Sequence, residues 1–271
     1  MSRSFLFIPG DVPRMIQQLE IFSADSVILD FEDSVATHQK DEARNLVESF
    51  LTQHHFTTPA IYVRINATDS DEFIADMQTL KNLPIKGIVL PKASLAAIET
   101  VTKHLTLPII ALLETPSGFL SLPDIAQHPS VEGLLLGAED LAKSLDLERT
   151  VSGEEILYFR SQLVLTAKAY HKYAIDTPFT NTTSDIGLLE DIKRSRQLGF
   201  DAKAAIHPNH ISAINQHFSP SEAAIHEARR IMTIAEKQQS VRFSLDGRMI
   251  DKPIIDRAKK TLDLAKRYRL L

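Results

Sequence analysis

The stretch SVILDFED, residues 26–33, runs from apolar into acid: Val27, Ile28 and Leu29 are followed by Asp30, Glu32 and Asp33. The same form recurs along the chain. SFLFIPG (4–10) precedes it, and AIYVRIN (60–66), GIVLPK (87–92), PIIALLET (108–115), VEGLLLGAED (131–140), YAIDTPF (173–179) and AKAAIHP (202–208) follow it. Each apolar part is short, rich in leucine or β-branched residues, and stops at a polar, charged or turn residue, which is how a fully buried parallel strand reads. The intervals between runs are long enough for a crossover helix. Eight such units predict a closed (β/α)8 TIM barrel, an α/β fold whose active site is built from residues at the carboxyl ends of the strands.

Between the runs the apolar spacing changes from two to three and four. Helices are predicted over 14–22, 41–52, 71–83 and 95–104, with a shorter connection at 118–127 and helices again over 153–173 and 184–198. Ser184 and Asp185 suit the cap of the last. The barrel is complete by Pro208, and the reading assigns residues 1–218 to it and 219–271 to a helical extension. In that extension Ser219 and Pro220 are expected to open a helix through Glu222–Lys237. A turn follows at Asp246-Gly247, and a last helix begins around Pro253. Asp251, just before that proline, reads as an N-cap.

Composition narrows the function. The 271 residues carry 44% hydrophobic residues, 9 glycines, no cysteine and a formal charge of -5. A chain of this length can form one barrel of about 250 residues. The acidic balance gives no field for nucleic acid or anionic lipid, and no apolar stretch is long enough for a signal peptide or membrane span, so a cytoplasmic protein is expected. Without cysteine there are no disulfides, thiol nucleophiles or Cys-based zinc sites. No glycine-rich dinucleotide or phosphate loop is present.

Chemistry is expected at the strand ends. Glu114 and Asp140 close the fifth and sixth runs, where neighbouring strands lie roughly 5 Å apart. Two hard carboxylates without Cys or nearby His suit Mg²⁺ or Mn²⁺; the alternative is that they cap the barrel or pair with Lys92 and Arg64. Arg64 can hold a carboxylate or oxyanion, or be neutralised by Glu32 or Asp33. Asp30 and Glu32 share one strand face, so either can order bound water or act as a base. Lys92 is a Schiff-base candidate. His207 is discounted as a lone histidine, His54 and His55 lie near a helix end without partners, and Lys203 reads as a solvated charge.

Taken in order, RSFLFIPGDVPRM (3–15), ILDFEDSV (28–35) with QKDEAR (39–44), YVRIN (62–66), GIVLPKA (87–93), ETPSGF (114–119), LLLGAEDLA (134–142), AIDTPF (174–179), GFDAKAAIHP (199–208) and DGRMIDKP (246–253) resemble successive motifs of the citrate lyase β-subunit-like family. That family lies within the HpcH/HpaI aldolase/citrate lyase superfamily and includes malyl-CoA and citramalyl-CoA lyases. The resemblance covers nearly the whole chain and implies a Mg²⁺-dependent acyl-CoA lyase. Its product would be a 2-oxo acid beside acetyl-CoA. It places Glu114 and Asp140 at the metal, Arg64, Glu32, Gly137 and Ala138 at the substrate, and Arg14 and Pro9 at coenzyme A. Gln17 and Gln18 stand where the family pattern often has a lysine. The resemblance also makes Asp251 a proton donor on a lid that reaches an adjacent subunit, hence a homo-oligomer, a trimer or hexamer. Other readings are a citrate lyase β subunit using a carrier-protein thioester, a malate synthase-like thioesterase, a Lys92 aldolase, and a non-catalytic barrel that binds coenzyme A or a partner.

Overall fold

Eight strands pair in chain order and close on themselves in the computed structural model, which describes residues 2–54, 56, 58–238 and 242–271. They are β1 Ser4–Pro9, β2 Ser26–Asp30, β3 Ala60–Arg64, β4 Gly87–Leu90, β5 Ile109–Leu113, β6 Val131–Leu136, β7 Tyr173–Asp176 and β8 Ala202–Ala205. Every pair is parallel, and β1 closes onto β8 through Ser4↔Lys203, Phe5↔Ala204 and Leu6↔Ala205. Around them run α1 Pro13–Ile16, α2 Lys40–Gln53, α3 Phe73–Leu80, α4 Leu95–Thr102, α5 Pro116–Leu120, α6 Leu122–Gln127, α7 Ala138–Ser144, α8 Leu157–Ala169, α9 Asp185–Leu198 and α10 His210–Phe218. The TIM barrel expected from the runs is therefore the fold. No helix among the described residues is long and apolar enough to cross a membrane.

Alternation within the strands decides what fills the barrel. Phe5, Ile28, Tyr62, Val89, Ile110, Leu112, Leu135, Ile175, Ala202 and Ala204 form one buried cluster, in which the Phe5 and Tyr62 rings lie 5.7 Å apart. The residues between them face the helices. All of β2, β4, β5 and β8 is buried on both faces, so these strands are largely apolar, Ser26, Asp30 and Lys203 being the exceptions, and each buried Leu or Ile contributes about 1.5–3 kcal/mol.

The structure corrects several local expectations. The helix expected over 14–22 stops at Ile16, and successive three-residue turns follow, with Gln18 N–H donating to Met15 O and Ile21 N–H to Gln18 O. Turns with this spacing carry Ile16 and Leu19 inward as well as a helix does, so apolar periodicity could not tell the two apart. Helices α3 and α8 are shorter than read, and the 118–127 connection is two short helices. At α9 only Ser184 caps, accepting from Gly187 N–H. His54 is not partnerless: its Nδ1 bonds Phe50 O at 3.0 Å and its ring stacks on Phe50. His55 lies outside the described residues.

Lys203 is the largest correction. It is fully buried, not solvated. Because Ala202 and Ala204 face the barrel interior, Lys203 faces the helix layer, where Nζ lies 2.9 Å from Asp176 and 2.7 Å from Asp191. Arg160 of α8 donates twice to Asp176 at 2.9 Å and once to Asp191 at 2.7 Å. Ser195 also donates to Asp176. Two cations thus meet two carboxylates, the arrangement by which buried charge becomes tolerable.

The chain falls into two compact units, Met1–Asn215 and Gln216–Leu271. The second holds α11 Glu222–Gln238, a hairpin of β9 Phe243–Leu245 and β10 Arg248–Ile250, and α12 Lys252–Arg267. Ala228, Ile231, Phe243, Leu245, Ile250 and Ala258 form its core. Its hairpin turn is Asp246-Gly247, at φ 50° and 77°, the left-handed pair that a two-residue hairpin requires. The cap of α11 is Ser221 rather than Ser219, since Ser221 Oγ accepts from Ala224 N–H. Asp251 caps α12, accepting from Ile254 N–H.

Burial pushes the Asp191 carboxyl up, but the charges and hydrogen bonds of Lys203 and Arg160 outweigh it and bring it down to about 2. A carboxyl lower in the folded state than its unfolded value near 4 adds stability above that value and loses it as pH falls through the folded value. The stability difference between wild type and Asp191→Asn is therefore expected to shrink by about 2 kcal/mol from about pH 5 to about pH 2. Urea denaturation at stepped pH measures it. A constant difference would show that Asp191 is not held by these cations.

Candidate active site

Every second residue that continues the barrel interior past the core arrives at one mouth, formed by the carboxyl ends of the strands. A cavity of about 250 Å³ opens there, lined by Phe7 and Pro9 of β1, Asp30, Arg64, Leu112, Glu114, Leu135, Gly137, Thr177 and Ile206, with Glu139 and Asp140 beside them. Its wall is mostly hydrocarbon with a few convergent polar groups, the usual character of a small-molecule site.

Asp30 and Arg64 are register partners on β2 and β3. Arg64 Nε and Nη2 each lie 2.6 Å from an Asp30 oxygen, a two-point fork. Asp30 also accepts from Glu32 N–H at 2.9 Å and Ser34 N–H at 3.2 Å. Burial raises its pKa, yet the Arg64 bonds and charge, with these two backbone donors, hold it below the usual carboxylate range. The expected pairing of Arg64 with Glu32 or Asp33 is thus secondary to Asp30, which is directly opposite in register. Arg64 Nη1 lies 2.9 Å from Glu32 Oε2 and 3.7 Å from Asp33, and the guanidinium stands 5.3 Å above the Phe7 ring.

Glu32 is different. Its Oε2 is buried and makes no hydrogen bond, since the approach of Arg64 is close but poorly aligned. Burial pushes the carboxyl up, Arg64 opposes this, and Glu114, Asp33 and Asp30 add to it, giving about 8. Lys40 fixes the backbone beneath it, donating to Phe31 O at 2.7 Å, Glu32 O at 3.0 Å and Asn66 Oδ1 at 2.6 Å. Asn66 in turn donates to Asp76, which Arg44 neutralises.

Glu114 follows β5. Its Oε1 accepts from Lys92 N–H at 2.7 Å. Burial lifts its pKa to about 7; the Lys92 bond opposes the rise, and the charge of Asp140 adds to it. Asp140 is not at the end of β6, as read from the sequence, but in the first turn of α7 after Gly137. Gly137 is required by close approach, because a Cβ there would stand 2.7 Å from Glu114 Cβ and 2.9 Å from its Oε2. Asp30, Glu32 and Glu114 share the field of one guanidinium, Asp140 adds its charge beside Glu114, and Glu32 Oε2 lacks a hydrogen-bond partner. That donor set, hard oxygens in negative excess, fits a divalent cation held by Glu114 and Asp140 with room for water and ligand oxygens. Among the described residues no three Asp, Glu, His or Cys side chains form a closed metal cluster.

The backbone donors are divided. Gly137 N–H donates to Leu113 O at 3.0 Å, and Ala138 N–H to Thr177 Oγ1 at 3.3 Å. The N–H groups of Glu139 and Asp140 make no hydrogen bond within the described residues. Arg14 is exposed on α1, and Lys92 presents an exposed side chain although its N–H serves Glu114. His207 is half-buried, its Nδ1 accepting from Asn209 N–H. Reading strand ends by polarity missed Thr177; counting by twos from Ile175 points to it. The same count turns Lys92, Asp176 and His207 away from the cavity.

The family model for HpcH/HpaI aldolase/citrate lyase matches residues 3–208. This chain belongs to that family. Among its HpcH/HpaI relatives, the citrate lyase subunit beta of Haemophilus influenzae is 33% identical, with 98% of this chain and 97% of that protein covered. The (3S)-malyl-CoA thioesterase of Cereibacter sphaeroides is 31% identical over 96% of this chain and 93% of its own length. The crystal structure of CitE from Mycobacterium tuberculosis, in complex with magnesium, acetoacetate and coenzyme A, superposes with a TM-score of 0.84 at 30% identity, covering 98% of each chain. The motifs from RSFLFIPGDVPRM to AKAAIHP thus carry membership of an enzyme family with lyases in it.

A buried ion pair is a weak source of stability, whereas removal of one partner is costly. Asp30→Leu, which leaves Arg64 only the poorly aligned Glu32 and the more distant Asp33, is expected to lower the unfolding free energy by about 3–5 kcal/mol. The pair Asp30→Leu/Arg64→Met should recover most of that loss. Denaturant titration of the three proteins checks it, and equal losses in both variants would show that the fork itself stabilises the barrel.

Proposed function

We propose that this chain is a Mg²⁺-dependent carbon–carbon lyase that cleaves a carboxylated 3-hydroxyacyl-CoA thioester, citramalyl-CoA ahead of malyl-CoA and citryl-CoA, to a 2-oxo acid and acetyl-CoA. The observation that carries this reading is the convergence of Glu114, Asp140 and Arg64 on one apolar-walled cavity in an HpcH/HpaI fold, with Glu32 held against Arg64 behind it. Glu114 and Asp140 would hold the metal. When bound, it would supply Lewis-acid polarisation of the substrate hydroxyl and carboxylate oxygens.

The remaining work belongs to side chains. Asp30 is already committed to Arg64 and two backbone donors, so Glu32, with Oε2 free, is the group that takes the hydroxyl proton. As the oxygen–carbon double bond forms, the bond between the substrate's second and third acyl carbons breaks, and its electron pair passes into the thioester as an enolate. Arg64, fixed by Asp30, stabilises that developing charge. Asp251 of an adjacent subunit returns a proton to the enolate carbon, with the second unit as a lid. This requires a homo-oligomer, a trimer or hexamer. Pro9 and Arg14, on the strand and helix that begin the chain, border the coenzyme A arm, and the Gly137–Asp140 segment receives the carboxylate. The setting is cytoplasmic.

A second reading follows from the Haemophilus influenzae relative: the same chemistry on a citryl thioester of an acyl carrier protein, as a subunit of a larger citrate lyase. The Cereibacter sphaeroides relative supports a further thioesterase step, in which water hydrolyses the thioester. The exposed Lys92 favours neither of these and does not support a Schiff-base aldolase.

Purified chain with Mg²⁺ is expected to release pyruvate from citramalyl-CoA. EDTA should abolish release and Mg²⁺ restore it, while Asp140→Ala and Asp251→Asn each reduce kcat by at least about 100-fold. Activity only after addition of carrier and further subunits would favour the second reading. Full activity in EDTA, or in both variants, would overturn the metal and proton-donor assignments.

A further inference from the structure

The Thr177 hydroxyl is a cavity-wall group that the reaction described above leaves without a task. It follows β7, continues the inward alternation from Ile175, and lines the mouth while being only 2% exposed. Its position is fixed on two sides. Lys203 Nζ, itself anchored by Asp176 and Asp191, donates to Thr177 O at 2.6 Å. Ala138 N–H donates to Thr177 Oγ1 at 3.3 Å.

The direction of that second bond matters. An N–H can only donate, so Oγ1 is the acceptor and the hydroxyl proton remains to be given elsewhere. Among the described residues that proton makes no hydrogen bond, to the lining carboxylates Asp30, Glu114, Glu139 and Asp140 included, and the lining residues Leu112, Leu135, Leu136, Pro178 and Ile206 have no side-chain acceptor. The β-branched side chain is stiff about χ1, and the buried Lys203 network holds its backbone. The result is a preorganised donor on a mostly hydrocarbon wall, beside the segment that carries Asp140.

We propose that Thr177 is a substrate-positioning residue whose hydroxyl donates to a carboxylate oxygen of the 2-oxo acid portion of the substrate. The chain of bonds runs from Ala138 N–H through Thr177 O–H to the ligand, so the backbone donor polarises the hydroxyl that the ligand meets. This rests on the proposed lyase reading for the identity of the carboxylate. Its consequence is specific: Thr177 governs affinity for the 2-oxo acid and acts on the bond-breaking step only through orientation.

Isothermal titration of the full-length protein separates the possibilities, using Mg²⁺ alone and then pyruvate or glyoxylate in saturating Mg²⁺. Thr177→Val keeps the shape and removes the hydroxyl; Thr177→Ser keeps the hydroxyl. For Thr177→Val, 2-oxo acid affinity is expected to fall about ten- to hundredfold, the value of one hydrogen bond to a charged group. Mg²⁺ affinity should stay near wild type, the melting temperature should fall by only a few degrees as Ala138 N–H loses its acceptor, and Thr177→Ser should bind within about threefold of wild type. Equal affinity of Thr177→Val and wild type for the 2-oxo acid would overturn the proposal. So would a parallel loss of Mg²⁺ affinity and melting temperature, which would make Thr177 a structural clamp on α7. If wild type binds neither 2-oxo acid, the lyase reading fails and this inference with it; binding by wild type with no effect of the variants sinks this inference alone.

Discussion

A strand in a closed parallel barrel can send a side chain in only two directions, inward to the barrel axis or outward to the helices, and the choice alternates residue by residue. That constraint organises this molecule. Phe5, Ile28, Tyr62, Ile110 and Ile175 fill the interior. Two residues further on, the same rows supply Phe7, Asp30, Arg64, Leu112 and Thr177 to the mouth. Chemistry and core are thus successive layers of one pattern, and any one-residue slip would exchange them for the outward set.

The outward set is not inert. Asp176 and Lys203 stand one residue from Ile175, Thr177, Ala202 and Ala204, yet they face α8 and α9 and are neutralised there by Arg160 and Asp191. On the other side of the barrel, Lys40, Asn66, Asp76 and Arg44 play the corresponding part under the β2 and β3 loops. Both networks deliver a backbone to the mouth. Lys203 holds the Thr177 carbonyl and Lys40 the Phe31 and Glu32 carbonyls. Charges buried behind a site in this way locate the groups in front of it without entering the cavity themselves, at the cost of desolvation that each network offsets internally.

The architecture was legible because buried parallel strands write short apolar runs that helical segments do not imitate. Glu114 and Arg64 were legible for the same reason, being charges placed where a run ends. Lys203 was not. A lysine within AKAA gives no sign of partners that come from Arg160 and Asp191, far away in the chain, so its burial is a tertiary fact. Asp140 was read as the end of the sixth run and so misplaced, since β6 ends at Leu136 and a helical turn carries the acid onward. Thr177 was within reach of the alternation but not of a search for charge. Nor could sequence decide between helix and consecutive turns after Ile16, because both satisfy apolar spacing of three.

The mouth's electrostatics follow from these placements. Asp30 and Arg64 cancel one another almost completely through their two-point fork. Glu32, Glu114 and Asp140 then form an uncancelled acidic surface with little water around the first two, and both carboxyls respond by moving up, to about 8 and about 7. In both cases burial is the leading cause and neighbouring carboxylates add to it. Such a site has two ways to lower its energy: it can take up protons, or it can take up a cation whose charge reverses the effect on each neighbouring carboxyl. The second route would keep these carboxyls ionised at neutral pH, as the proposed ligand and base roles require. Holding Arg64 on Asp30 matters to the same balance: a guanidinium free to swing onto Glu114 would satisfy that carboxyl by itself. The Asp30 fork thus fixes the arginine while leaving the Glu114 and Asp140 wall acidic.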